Sequence, residues 1–149
     1  MTPQWILKTF KELTTDELYK ILKLRSAVFV VEQNCVFLDM DDKDQESWHL
    51  MGMIEDDLAS YVRILPPGLA YEGIPSIGRV VSSGKYRRTG TGRAVMLEGI
   101  KICNEFFPGL PIKIGAQFYL KNFYGSLGFN QVSDIYMEDD IEHIHMIRP

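Results

Sequence analysis

The segment Arg87-Arg88-Thr89-Gly90-Thr91-Gly92 concentrates the residue types that bind an anion. It falls between an apolar run that reads as a strand, residues 77–82, and a helical pattern beginning near Gly92. The first amides of a helix have no intrahelical partner and point outward. The helix dipole adds partial positive charge at that end. Glycines let a bulky group approach the backbone closely. Arg87 and Arg88 add two full charges beside them. Together these features predict a site for a phosphate or pyrophosphate. Two familiar phosphate loops do not fit. A Walker loop needs GxxxxGK, which does not occur. A dinucleotide fingerprint needs a small residue where Val95 stands, and this loop lies mid-chain rather than in an opening βαβ unit.

The elements that would hold this loop follow from pattern. Residues 5–7 can start an edge strand. Thr14 and Glu17, three apart, read as a capping box. The helix they open is expected to run to about residue 33, with Leu18, Ile21, Leu22, Val28 and Phe29 as its apolar stripe. Arg25 and Glu32 fall on the same stripe, two turns apart. Charges are seldom buried alone. The spacing therefore predicts a structural Arg25–Glu32 pair facing the core. A desolvated Glu32 would otherwise have a raised pKa, suited to a general base.

An acidic loop follows, with Asp39, Asp41, Asp42, Asp44 and Glu46. Lys43 and Asp44 stand at its fifth and sixth places, so the EF-hand test fails. A solvated loop is expected, or else one that attracts a cationic amine. Residues 48–54 and 58–65 read as strands around the turn Glu55-Asp56-Asp57. The helix over residues 92–107 carries Met96, Leu97, Ile100, Cys103 and Phe107 on one face. A strand over 112–116 and a short helix over 120–127, closed by Gly128, come next. Strands near 129–137 and 142–147 finish the chain. The order β-α-β-β-β-α-β-α-β-β predicts an α/β (α+β) domain with a single mixed, mostly antiparallel sheet of about seven strands flanked by helices. An exposed final strand would pair across a homodimer.

Composition narrows the class. A chain of 149 residues, 46% apolar and 24% charged, fits one globular domain spanning 1–149. A net charge of -4 gives no basic footprint, so no nucleic-acid partner is expected. No apolar run approaches the roughly 18 residues of a membrane span, and no membrane partner is expected. Residues 1–10 lack a basic start followed by a long apolar run, so no signal peptide is expected. Cys35 and Cys103 lie in apolar surroundings without CxxC spacing, which predicts two reduced core thiols, no metal and a cytoplasmic location.

The pattern Arg87-x-x-Gly90-x-Gly92 after a strand resembles the coenzyme A pyrophosphate loop of the GNAT acetyltransferase superfamily. The order of elements is similar to that fold over nearly the whole chain. A second segment agrees: Ala116-Gln117, then Leu120-Lys121-Asn122-Phe123-Tyr124-Gly125-Ser126-Leu127-Gly128-Phe129. The ElaA-like branch is resembled more closely, through Arg25-Ser26-Ala27-Val28-Phe29-Val30-Val31-Glu32-Gln33-Asn34-Cys35 and Trp48-His49-Leu50. Ile77-Gly78-Arg79-Val80 and His143-Ile144 add to it. The resemblance implies an N-acetyltransferase with acetyl-CoA as cosubstrate. It implies that the amides of Arg88, Thr89, Gly90, Thr91, Gly92 and Arg93 hold the pyrophosphate, with Arg87 beside them. It implies that main-chain groups of Val80, Val81 and Ser82 pair with the pantetheine arm like an added strand. Asn122 would hydrogen-bond the coenzyme, and Tyr124 would face the thioester sulfur.

Acetyl transfer makes three demands. The amine must lose a proton, the oxyanion needs donors, and the departing thiolate wants a proton. A tyrosine, with a pKa near 10, is protonated at neutral pH and can supply the last. Tyr124 is that candidate; Glu32, His49 and His143 are candidate bases, beside a water chain. Both histidines read first as satisfied strand residues. Arg25, Phe29 and the acidic stretch also resemble acyl-homoserine-lactone synthases, which use S-adenosylmethionine; the Arg87-x-x-Gly90-x-Gly92 loop speaks against that class. A non-catalytic coenzyme-binding module is the third alternative, and Tyr124 beside Asn122 speaks against it. The acceptor, a small-molecule or peptide amine, is not legible.

Overall fold

The computed structural model describes residues 2–149. Strand β1 (Gln4–Thr9) is the outer member of an antiparallel sheet with β2 (Trp48–Ile54), β3 (Asp57–Leu65) and β4 (Ser76–Ser82), in that order. A second sheet is built on β8 (Ile141–Arg148). Its one side carries β5 (Ile112–Gln117); its other carries the short strands β6 (Asn130–Gln131) and β7 (Tyr136–Glu138). The expected single sheet is thus two. The final strand is bonded on both sides, so it offers no free edge to a second copy, contrary to expectation.

Helix α2 (Thr91–Phe106) carries the chain from the end of β4 to the start of β5 and packs Val95, Met96, Ile100 and Cys103 into the main core. Gly99 faces the sheet, where a Cβ would stand in ordinary contact with Val62 at 3.4 Å and Ile77 at 3.5 Å. The crossover leaves β4 and β5 side by side. They join at their starts, where Lys113 N donates to Pro75 O at 3.1 Å. Beyond that point they part. A bulge in β4 drives the separation: Arg63 pairs with Gly78 and Tyr61 with Val81, so two residues of β4, Arg79 and Val80, oppose one of β3, Val62. Arg79, at the bulge, has φ 51°. Such an extra residue bends and twists its strand.

The capping box of α1 (Thr15–Arg25) forms as expected, with Glu17 N donating to Thr14 Oγ1 at 3.1 Å and Thr14 N to Glu17 Oε1 at 2.8 Å. The helix does not continue regularly to residue 33. Ser26–Glu32 is a π-helical turn, in which Gln33 N bonds Val28 O at 3.1 Å and Cys35 N bonds Val30 O at 3.0 Å. A π-turn advances each residue less around the axis than an α-turn. Residue 32 therefore leaves the stripe that residue 25 occupies. Arg25 is fully buried, whereas the Glu32 side chain is 49% exposed, and the expected Arg25–Glu32 pair does not form.

Arg25 instead draws in the acidic loop. Its Nε donates to Asp39 Oδ2 and its Nη1 to Asp44 Oδ1, each at 2.7 Å. Arg63 binds Asp41 through both terminal nitrogens, at 2.7 and 2.5 Å, and Asp44 at 3.0 Å. Arg79 Nε lies 2.8 Å from Asp39 Oδ1, off the hydrogen-bond line. Three arginines thus face three aspartates. The acidic residues of the loop expected to be solvated are folded inward, with only Asp42 and Glu46 of the five left outside.

Candidate active site

A cleft of about 1020 Å³ fills the gap where β4 and β5 part. At one end lies the anion loop. Arg88 (φ 63°) and Gly90 (φ 83°) are left-handed, and Gly90 is the residue before the first turn of α2. Alternation of left- and right-handed residues turns amides toward a common point, an anion nest. The hydroxyls of Thr89 and Thr91 both donate to Tyr86 O, Thr91 at 3.0 Å, and pin the loop to the turn before it. Arg88 makes no ion pair among the described residues. Arg87 is bound: its two terminal nitrogens donate to both oxygens of Glu32, Nη2 at 2.9 Å.

That pair overturns the expected chemistry of Glu32. The arginine hydrogen bonds hold its carboxylate below the usual range, where burial had been expected to raise it. Glu32 lines the cleft but is a weak base that tethers the π-turn to the anion loop.

His49 is overturned as a base by its position. It is fully buried behind the acidic loop and does not line the cleft. Its Nε2 lies 2.8 Å from Asp44 O and its Nδ1 2.6 Å from Tyr61 Oη. A carbonyl only accepts, so Nε2 donates and Nδ1 accepts from the phenol. Burial holds the ring neutral, with a lowered pKa. Both nitrogens are occupied in holding the loop to the sheet.

His143 does reach the cleft. Its Nδ1 lies 2.8 Å from Ile141 O, which again only accepts, so the proton of the neutral ring sits on Nδ1. Nε2 keeps its lone pair, 3.4 Å from Glu138 Oε2. Of the three candidate bases, this histidine alone lines the cleft with an acceptor nitrogen that no arginine occupies.

Tyr124 stands on helix α3 (Lys121–Gly125) and also lines the cleft. It is 6% exposed, its ring packed edge-on against Phe123 and Phe129. Burial pushes its phenol well above the ordinary range, so it stays protonated. Among the described residues no group hydrogen-bonds its hydroxyl, which is left to a ligand. Val80, Val81 and Ser82 form the β4 wall, whose edge facing β5 has no partner strand beyond the Pro75 contact. Arg93 Nη1 donates to Ser126 Oγ at 3.0 Å, tying α2 to α3. Asn122 is exposed at the start of α3, outside the cleft wall. Cys35 is also not a core thiol: it borders the cleft, with Sγ 3.1 Å from Asp139 O, while Cys103 is buried as expected.

The sequence profile of the acetyltransferase (GNAT) domain matches residues 27–148. The chain belongs to the GNAT acetyltransferase family. ElaA of Escherichia coli is 40% identical over 147 residues, covering 97% of this chain and 95% of that protein. The crystal structure of E. coli ElaA aligns with a TM-score of 0.91 over 99% of both chains. That of an acyl-CoA N-acyltransferase from Pseudomonas aeruginosa aligns with a TM-score of 0.93 at 39% identity, over 99% of this chain and 100% of that one. A coenzyme-A-dependent acyl-homoserine lactone synthase is 14% identical with a TM-score of 0.77, a likeness of fold alone. GNAT proteins bind acyl-coenzyme A, and the residues present fit that ligand. The nest and Arg88 suit its phosphates, and the open edge of β4 suits its amide-bearing arm. Among the described residues no helix of this GNAT chain is long and apolar enough to cross a membrane.

The Asp39–Asp41–Asp44 network with Arg25, Arg63 and Arg79, and the approach of Glu138 to His143, carry no signal in the sequence pattern beyond the place of Arg79 before two valines of a strand, within Ile77-Gly78-Arg79-Val80.

Proposed function

We propose that this protein transfers the acetyl group of acetyl-CoA to a primary amine by direct attack in a ternary complex. One observation carries this function: a single cleft connects the anion nest at α2 with the free hydroxyl of Tyr124 and the free Nε2 of His143. In the first step His143 Nε2 takes a proton from the bound ammonium, directly or through one water. The freed amine lone pair attacks the thioester carbonyl. Main-chain amides along the β4 edge stabilise the oxyanion. The carbon–sulfur bond then breaks, and Tyr124 donates its proton to the departing sulfur. The phenolate recovers a proton from the amine nitrogen as the amide forms. The net products are the N-acetyl amide, coenzyme A thiol and the proton held by His143, which passes to solvent. A cytoplasmic location agrees with two unpaired thiols in the chain.

Tyr124→Phe tests this. The ring and its packing are kept, so acetyl-CoA affinity by calorimetry should match wild type. Turnover with an amine found by screening should fall about tenfold or more where chemistry limits the rate. Wild-type turnover in the variant would assign the proton to another group. Absence of acetyl-CoA binding by the wild-type protein would overturn the function itself.

A further inference from the structure

A second cavity, of about 330 Å³, adjoins the cleft at the parting of β4 and β5. The two share Ile77, Gly78, Arg79, Asp41, Gly115 and Glu138 as walls, so they lie side by side. The walls peculiar to the smaller cavity are aromatic. His145 lies between Tyr136, 4.7 Å between ring centres, and Tyr71, 5.7 Å and edge-on. Gly115 forms the floor. A Cβ there would stand 3.1 Å from Tyr136 Oη and 3.4 Å from Tyr71 Oη, so a glycine keeps open the space where both hydroxyls converge. Neither hydroxyl has a protein hydrogen-bond partner among the described residues. Burial raises the Tyr71 phenol to about 12, so it remains a neutral donor.

Charge in this cavity is arranged in two tiers. Arg63, Arg79 and Asp41 belong to the balanced network that Arg25, Asp39 and Asp44 complete. Glu138 and Lys43 are left over, each without an oppositely charged lysine, arginine or carboxylate partner among the described residues. Glu138 faces two histidines: His143, with Nε2 3.4 Å from Oε2, and His145 across the smaller cavity. With the His143 ring proton on Nδ1, its Nε2 and Glu138 Oε2 are both acceptors. Two acceptors this close are both satisfied by an N–H donor lying beside them. A substrate ammonium supplies one, paired with Glu138 and presenting a proton to His143. Lys43 sets the opposite charge elsewhere on the same wall. It repels a second ammonium and attracts a carboxylate.

We infer that the cavity is the acceptor site and that it takes a small zwitterion, a free amino acid or similar amino-carboxylate, with the amine at Glu138 and the carboxylate toward Lys43. This rests on the transferase function proposed above and adds its substrate class. A volume near the lower end of ligand pockets fits one such molecule. Glu138 and Lys43 would be specificity-determining residues.

Two readouts separate this inference from the function beneath it. Binding of free amino acids, the matching decarboxylated amines and putrescine to the protein–coenzyme A complex is measured by calorimetry. Thiol release from acetyl-CoA is measured with the same panel. An amino acid should bind and turn over with kcat/KM about tenfold or more above its decarboxylated amine and above putrescine. Glu138→Gln should raise KM for the amino acid about tenfold or more without changing acetyl-CoA affinity. Lys43→Gln should raise KM for the amino acid and not for the decarboxylated amine. Thiol release that favours putrescine or a decarboxylated amine, or that is indifferent to both substitutions, would overturn the acceptor assignment while the transferase function stands. Amino-acid binding that depends on Glu138 without thiol release would uphold the site and overturn the function.

Discussion

Arg25→Met should destabilise this protein severely. Arg25 has no exposed surface, and its guanidinium makes three contacts at once: Asp39 Oδ2 and Asp44 Oδ1 at 2.7 Å, and Asp39 O at 3.3 Å. Methionine fills much of the same space but leaves two buried carboxylates facing a thioether. Asp44 keeps Arg63 at 3.0 Å and Asp39 keeps Arg79 at 2.8 Å, so each retains half of its compensation. Removing one partner from a buried ionic group costs about 3–5 kcal/mol, most of it the desolvation of charge left behind. Each kcal/mol moves the melting temperature of a domain this size by roughly 2–4 °C. The variant should therefore melt about 6–20 °C below wild type at neutral pH, with an unchanged urea m-value and a lower midpoint. Glu32→Gln should barely move the melting temperature, because an exposed pair is worth about 0–1 kcal/mol. The two changes should add within about 0.5 kcal/mol, since Arg25 and Glu32 share no partner. A melting temperature within about 2 °C of wild type for Arg25→Met would refute the buried network. Strong coupling to Glu32 would restore the pair that the helix spacing predicts.

Glu32→Gln should also change coenzyme affinity. It releases Arg87 toward the anion nest, and the exposed pair it breaks is worth at most about 1 kcal/mol, so acetyl-CoA should bind up to about fivefold tighter at low salt. Weaker binding by calorimetry would mean that Glu32 positions Arg87 rather than competing for it. Acid should unfold the protein through the same acidic loop. Burial alone would raise the carboxyls of Asp41 and Asp44, but Arg63 and Arg25 outweigh it and hold both below their ordinary value. A depressed folded-state pKa stabilises above the unfolded pKa, near 4, and that stability is lost as pH falls from there toward the folded value. The melting temperature should drop steeply below about pH 4, and Asp41→Asn should give a shallower acid limb. An identical limb in the variant would remove Asp41 from the account.

Local chemistry made part of this protein legible without coordinates. The capping box at Thr14 needs partners only three residues apart. The anion loop needs a helix start, two glycines and adjacent arginines. The short helix carrying Tyr124 is closed by Gly128, which adopts φ 97°. Each feature is decided within one or two turns of chain, and composition and pattern carry that range.

What residues far apart do to one another was not legible. The choice of a π-turn over an α-turn at residues 26–32 moves Glu32 off the face of Arg25, and backbone propensity hardly distinguishes the two. The partners of Arg25 lie 14 and 19 residues away, across a loop whose acidity alone read as solvation. His49 and His143 look alike in sequence, each in a strand with apolar neighbours. Strand pairing seals His49 under the acidic loop and brings His143 to the cleft. The cleft itself exists because one extra residue at Arg79 turns β4 away from β5 after their single bond at Pro75. By itself the sequence determined most of the helices and strands, the anion loop and the family, but not the π-turn or the division of the strand near 129–137 into β6 and β7. Only the tertiary structure decided which charges neutralise one another and which are left free, because burial and pairing depend on how strands distant in sequence are registered and splayed.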